Sequence, residues 1–248
     1  MSASPIAELF DGISPRYDTL NHLLSFNIDR LWRRKTAKTV AQRQPDRILD
    51  LATGTADLAI NLAKQMPQAH ITGVDLSERM LAIGKAKVTH QHLEGRVNLH
   101  HGDAMALPFD DDSFDAVTVA FGVRNFDDRE AGLREIARVC RDGGQVAVLE
   151  FSHPQNPLIA VPYRWYSKTL LPWLGQLVSK HPTAYRYLPS SVEAFPPTDD
   201  FVTMLAAAGM SNIQVKAFSS GIATLYHGIV TKTVSAYNKN TIENVITP

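Results

Sequence analysis

The chain has 248 residues, 44% of them hydrophobic, enough for one large α/β domain without requiring two. Its 25 basic and 25 acidic residues cancel, so no global field draws it to nucleic acid, and no nucleic-acid partner is expected. The lone cysteine, Cys140, excludes an internal disulfide and a Cys-based zinc site, and no basic leader or apolar run of about 18 residues points to secretion or membrane spanning, so a cytoplasmic protein is expected.

Residues 4–42 read as helices, with Leu20, Leu23, Leu24, Ile28, Leu31 and Trp32 at helical spacing and Ser14-Pro15 as an N-cap and first-turn pair. This is an N-terminal helical cap on the domain. From Arg47 the pattern alternates: strand Ile48 to Leu51, helix Leu58 to Lys64, strand Ile71 to Val74, helix Glu78 to Lys87, strand Val97 to His100. It continues with strand Phe114 to Ala120, helix Arg129 to Val139 and, after a loop at Arg141-Asp142-Gly143-Gly144, strand Gln145 to Phe151. Such alternation predicts a parallel sheet covered on both faces by helices.

Residues 153–197 break the rhythm with many prolines and with Tyr163, Trp165, Tyr166, Trp173, Tyr185, Tyr187 and Phe195, and read as an inserted helical lid. Thr198-Asp199-Asp200 then caps a helix through Ala208, Gly209 ends it, and strands at Ile213 to Phe218 and Ala223 to Thr231 form an antiparallel edge. The polar tail, residues 235–248, is expected to be frayed.

The segment Ile48-Leu49-Asp50-Leu51-Ala52-Thr53-Gly54-Thr55-Ala56-Asp57 carries the most chemistry: an apolar strand runs through a Gly turn directly into a helix. A dinucleotide fingerprint needs two further glycines for backbone to approach a pyrophosphate, and those places hold Ala and polar residues. An adenosine cofactor without phosphate fits better, and S-adenosylmethionine is the expected one.

In a sheet of this kind the ligand crevice lies past the C-terminal strand ends. Asp75 sits there, about 20 residues beyond the Gly turn, placed either to accept both ribose hydroxyls or to charge the N-terminus of the next helix. Asp103-Ala104 follows the third strand, where the carboxylate could accept from the adenine amino group or cap the loop. The fourth strand ends in Ala120-Phe121-Gly122-Val123-Arg124-Asn125, placing a cation and an amide at the crevice mouth, although Arg124 could equally pair with Asp127 or Asp128 at the surface. Glu150, ending the fifth strand, is either a site residue or the partner of an N-terminal arginine. The nine histidines show no metal spacing; His100-His101 and His90-x-His92 are polar strand ends and loop, and no metal is expected.

The set Tyr17-Asp18-x-x-Asn21, Ser25 with Trp32, Asp50-Leu51-Ala52-Thr53-Gly54-Thr55, Phe121-Gly122-Val123-Arg124-Asn125 and Leu149-Glu150-Phe151-Ser152 resembles the class I C-methyltransferases of ubiquinone and menaquinone biosynthesis, over nearly the whole chain. The resemblance implies a Rossmann-like seven-stranded sheet and S-adenosylmethionine contacts at Gly54, Thr55, Asp75, Asp103, Ala104 and Ala120. It implies methyl transfer to a ring carbon of a prenylated hydroquinone, demethylmenaquinol above the benzoquinol precursor of ubiquinone, and leaves homodimer formation open. Another phenolic or lipid acceptor, or an adenosine-binding module without turnover, are the alternatives. The chain departs from the family at Ala56, often Gly, at Ala120, often Ser, and at Asp29, often His, so Asp29 is not expected to act as a base.

Ring methylation requires an electron-rich ring, so a hydroxyl must lose its proton as the adjacent carbon attacks. Arg124 is the expected phenolate stabiliser, with Tyr17 and Asn125 positioning the hydroxyl. Leu170, Leu171, Trp173, Leu174 and Leu177, flanked by Arg164, Lys168 and Lys180, form an amphipathic segment that either packs as an ordinary lid or rests on the inner face of the cytoplasmic membrane.

Overall fold

The computed structural model describes residues 11–12, 14, 25, 27–152, 154, 161 and 182–232. The elements in chain order are α1 (Ile28–Ala41), β1 (Arg47–Leu51), α2 (Asp57–Gln65), β2 (His70–Asp75), α3 (Glu78–His90), β3 (Val97–His101), β4 (Phe114–Ala120), α4 (Arg129–Val139), β5 (Cys140–Phe151), α5 (Pro182–Glu193), α6 (Thr198–Ala207), β6 (Met210–Phe218) and β7 (Ala223–Val230). The strands form one seven-stranded sheet in the order β3-β2-β1-β4-β5-β7-β6. The pairs from β3 through β5 are parallel, and β7 lies antiparallel between β5 and β6. The class I methyltransferase architecture expected from the sequence is the one observed.

Period-two alternation divides the strand side chains between two cores. Ile48 and Ile71 pack with α2 residues Leu58 and Leu62 on one face, while Leu49, Leu51, Val117 and Val119 pack with Leu133, Ile136 and Phe201 on the other. Each fully buried large aliphatic side chain contributes about 1.5 to 3 kcal/mol. The chain reverses its direction of travel across the sheet between β1 and β4, so their C-terminal ends part and leave the crevice that strand order dictates. Two helices that open toward it have side-chain caps: Ser77 Oγ accepts from Met80 N–H at 3.1 Å, and Asp128 Oδ1 from Ala131 N–H at 2.9 Å.

Several boundaries differ from the sequence expectation. β5 begins at Cys140 rather than Gln145, because Cys140 already pairs with Phe114 of β4 and the four residues before Gln145 bulge out at a register shift, with Gly143 at φ 69° within it. β6 starts at Met210, ahead of a shift between Ser211 and Gln214 where Asn212 adopts φ 50°. Thr198 is the first helical residue of α6 and not its side-chain cap; Pro197 precedes it and the Thr198 hydroxyl accepts from Tyr226 instead.

In α1 the apolar series does not form a single buried stripe. Trp32 is buried, its Nε1 donating to Ser219 Oγ at 3.0 Å and its ring packed near Phe121 and Phe151, whereas Ile28 and Leu31 face solvent. Of the proposed insertion, α5 and its link to α6 are described; the amphipathic stretch from Leu170 to Leu177, the motif residues Tyr17, Asp18 and Asn21, and the tail from residue 233 lie outside the described residues.

Candidate active site

The Gly turn is held by two carboxylates, one buried and one half-buried. Asp50, at the heart of β1, accepts from the Thr53 hydroxyl and from the Thr118 hydroxyl, each at 2.6 Å, and burial pushes its pKa up to about 6. Asp75, at the end of β2, takes the Gly54 N–H on one carboxylate oxygen at 2.7 Å and the Ser77 N–H on the other at 2.9 Å, and burial raises its pKa as well. The structure shows the second reading, in which Asp75 ties the turn to the start of α3, while each oxygen retains a further lone pair. The turn is tight because Ala52, Gly54 and Ala56 all adopt left-handed φ, of 49°, 56° and 66°. The left-handed Ala56 accounts for the glycine common there in the resembling family, since a Cβ in that conformation costs about 1 kcal/mol.

Gly54, Asp75, Asp103, Ala104 and Ala120 line one crevice past the strand ends, and Asn125 joins them. The Asp103 carboxylate accepts from the Met105 N–H at 2.9 Å, so it organises its own loop while facing the crevice. Met80, Met105, Phe121 and Phe126 supply apolar wall for a flat base. Among the described residues the ionisable groups lining it are Asp75, Asp103 and Asp127, with no lysine or arginine. That donor set suits a cationic cofactor with ribose hydroxyls and opposes a diphosphate. Gly122 closes the site: a Cβ there would stand 2.5 Å from the Ala52 Cβ, so only glycine lets the β4 end lie against the Gly turn.

Thr55 departs from its companions. It is buried, its hydroxyl accepts from Lys87 Nζ at 3.1 Å, and it lines a smaller recess with Arg33, Asp50, Asp57, Gly54 and Ala120, so Gly54 and Ala120 alone of the expected contacts touch both spaces. Asp29, expected not to serve as a base, is buried in an ion pair with Arg33.

Arg124 is not at the crevice mouth, nor is it paired with Asp127 or Asp128 as the sequence allowed. It is 7% exposed and points inward, where Nη1 donates to Glu150 Oε1 at 2.7 Å and to the Phe121 carbonyl, while its backbone N–H reaches Glu150 Oε2 at 3.3 Å. Glu150, fully buried, has Arg124 as its partner among the described residues, and Arg16 of the N-terminal segment lies outside them. Arg124 also lies over the Phe151 ring at 5.4 Å, and its Nε is buried with no partner among the described residues.

Asn125 is bonded on both sides of its amide: Nδ2 donates to the Phe121 carbonyl at 3.5 Å and Oδ1 accepts from the Tyr187 hydroxyl at 2.9 Å. Tyr187, on α5, was not singled out by the sequence as a site residue. Burial raises its pKa while Arg124 opposes that rise. Its aromatic-rich surroundings gave the only signal, because a contact 62 residues apart leaves no local pattern. Tyr17 lies outside the described residues.

Residues 1–230 match the ubiE/COQ5 methyltransferase family. The chain is 46% identical over 224 residues to the ubiquinone/menaquinone biosynthesis C-methyltransferase UbiE of Geotalea daltonii, covering 90% of this chain and 95% of that protein. It is 47% identical over 220 residues to the demethylmenaquinone methyltransferase of Thermus thermophilus, covering 89% and 99%. Among solved structures, a SAM-dependent methyltransferase from Thermotoga maritima superposes with a TM-score of 0.64 at 18% identity over 90% of this chain and 99% of that one. The cyclase SpnF gives 0.67 at 17% identity over 91% and 96%. A fold shared with a cyclase does not fix the reaction, so function must be argued from family and site.

Proposed function

Because the chain belongs to the ubiE/COQ5 methyltransferase family, we propose that it carries a methyl group from S-adenosylmethionine to a ring carbon of a prenylated hydroquinone, demethylmenaquinol in the first place and the benzoquinol precursor of ubiquinone as the alternative. The observation that carries the proposal is a crevice at the β1/β4 switch point lined, among the described residues, by carboxylates and no cation, with a buried Arg124–Glu150 pair beside it. S-adenosylmethionine supplies an electrophilic methyl on a positively charged sulfur. Asp75 is placed to accept from the ribose hydroxyls, Asp103 from the adenine amino group, and the backbone at Gly54, Ala104 and Ala120 to lie against the ligand.

The acceptor ring becomes nucleophilic as its hydroxyl loses a proton, and a phenol of pKa about 10 needs help to do so near neutrality. A lone cation about 4 Å away would contribute about 4 kcal/mol at an effective dielectric near 20. Glu150 offsets part of that field, so Arg124 acts chiefly through oriented donors, among them Nε, which has no partner among the described residues and meets an oxyanion that reaches it. Asn125, from the crevice side, and Tyr17 hold the hydroxyl, and burial of the ring between apolar walls excludes water.

No described helix is long and apolar enough to cross a membrane. In this proposal the protein works from the cytoplasmic side and touches the bilayer transiently to reach its prenylated acceptor. The deciding experiment gives the purified protein methyl-labelled cofactor with each reduced demethylated quinol and, separately, with the oxidised quinones. Label should enter demethylmenaquinol fastest and should not enter an oxidised quinone. Cofactor binding with no acceptor labelled would leave an adenosine-binding module in place of an enzyme.

A further inference from the structure

A second, larger groove runs between α1, α2 and α3. Arg30, Arg34, Lys64, Lys87 and His90 stand around it, Ile60 and Ile83 lie within it, and Asp57 is the only carboxylate lining it among the described residues. Asp57 is bonded to Lys87, and Arg33 is bonded to Asp29. Among the described residues, no carboxylate pairs with Arg30, Arg34 or Lys64. The chain as a whole carries no net charge, so this excess of cations is local.

Beside the groove, α1 exposes apolar surface. Ile28 is 37% and Leu31 49% exposed, and they share the solvent side of the helix with Arg30 and Arg34, while Trp32, Thr36, Ala37 and Val40 face the core. Cations that attract phosphate, next to large apolar side chains that can enter the acyl boundary, match the interface of an anionic bilayer. The groove also adjoins the active site: Arg33 and Asp57 line both it and the recess behind the Gly turn, and that recess shares Gly54 and Ala120 with the crevice.

We propose that the groove between α1, α2 and α3 seats anionic phospholipid headgroups and, with Ile28 and Leu31, forms the bilayer-facing surface of the enzyme. The inference rests on the quinol assignment, since a prenylated acceptor must be collected from a bilayer. It places the contact on the N-terminal helix and its neighbours, not on the segment between Arg164 and Lys180.

The test is co-sedimentation of the full chain with vesicles containing phosphatidylglycerol and with vesicles of phosphatidylcholine alone. The wild-type protein should partition onto the anionic vesicles, less so as salt is raised. An Arg30→Gln/Arg34→Gln/Lys64→Gln variant should lose about fivefold per charge, roughly a hundredfold together. Leu31→Asp should weaken partitioning through the apolar contact. All variants should keep wild-type turnover on a short-tailed, water-soluble demethylated naphthoquinol, which also reports their folding. Equal wild-type binding to both vesicle types, or no binding to either, overturns the inference. So does a triple variant that partitions like the wild type, and loss of binding on Trp173→Ala alone would then move the surface to the insertion. Failure of the quinol assignment is read separately, as absent turnover on every quinol with vesicle binding intact.

Discussion

Arg124 Nη1 lies 2.7 Å from Glu150 Oε1, two buried side chains brought together from 26 residues apart at the ends of adjacent strands. The pairing makes the cation part of the core. Removing one member strands the other charge, a loss of about 3 to 5 kcal/mol, so Arg124→Ala should be strongly destabilised. Arg124→Lys keeps the charge but removes Nε, the buried donor left without a partner among the described residues; it should retain cofactor affinity and lose turnover, seen as lower kcat at unchanged cofactor binding. Glu150→Gln leaves the arginine uncompensated, so the acid limb of the pH–rate profile should move to lower pH. A folded Glu150→Gln protein inactive at every pH would instead make Glu150 the proton acceptor.

Asp75→Ala should weaken S-adenosylmethionine binding by roughly ten- to a hundredfold, since a charged acceptor bond is worth about 1.5 to 3 kcal/mol. It should also loosen the Gly turn, because Gly54 and Ser77 lose their acceptor. Isothermal titration measures the first effect, and hydrogen exchange at the Gly54 amide the second. Unchanged affinity in a folded variant would remove Asp75 from the cofactor site.

Asp50 titrates against stability. Its folded pKa, about 6, stands above the model-peptide value of 3.8, so the folded state holds the proton more firmly. The stability this contributes is fully present below the unfolded pKa and is lost as pH rises through about 6, roughly 3 kcal/mol over the window. Asp115 and Glu135 have lowered pKa values and pull the other way, so the effect is isolated by comparison with Asp50→Asn. Urea unfolding at pH 3 and pH 7 should show the difference between wild type and Asp50→Asn changing by that amount. A constant difference would mean that Asp50 does not titrate in this range.

Tyr187→Phe removes the hydroxyl that donates to Asn125 Oδ1 while keeping the ring. If that bond holds the amide for the acceptor, kcat should fall by about tenfold with cofactor affinity unchanged, a loss in line with one neutral hydrogen bond. Stability alone should change by no more than about 1.5 kcal/mol. Steady-state kinetics with the quinol separates the two, and a wild-type kcat would make Tyr187 a packing residue.

The alternating core was legible because each of its elements carries a local signal. β4 and α4 begin and end where the residues place them, since apolar runs, the Asp128 cap and helical spacing all act over a few positions. The early start of β5 was hidden because Arg141-Asp142-Gly143-Gly144 looks like a turn by composition, and only the pairing of Cys140 with Phe114 ahead of it carries the strand across that bulge. Ile28 and Leu31 misled for a similar reason: spacing identifies one face of a helix, but not how far the neighbouring element extends to cover it.

By itself the sequence determined the sheet, the Gly turn and the carboxylates past the strand ends, because strand, turn and helix propensities are properties of neighbouring residues. Tertiary structure alone decided that Arg124 meets Glu150, that Thr55 turns toward Lys87 and away from the crevice, that Tyr187 reaches Asn125, and that Arg30, Arg34 and Lys64 gather around one groove. Those partners stand on different elements, and a charge or hydroxyl finds its partner through burial and the packing of the sheet, which no local stretch of sequence records.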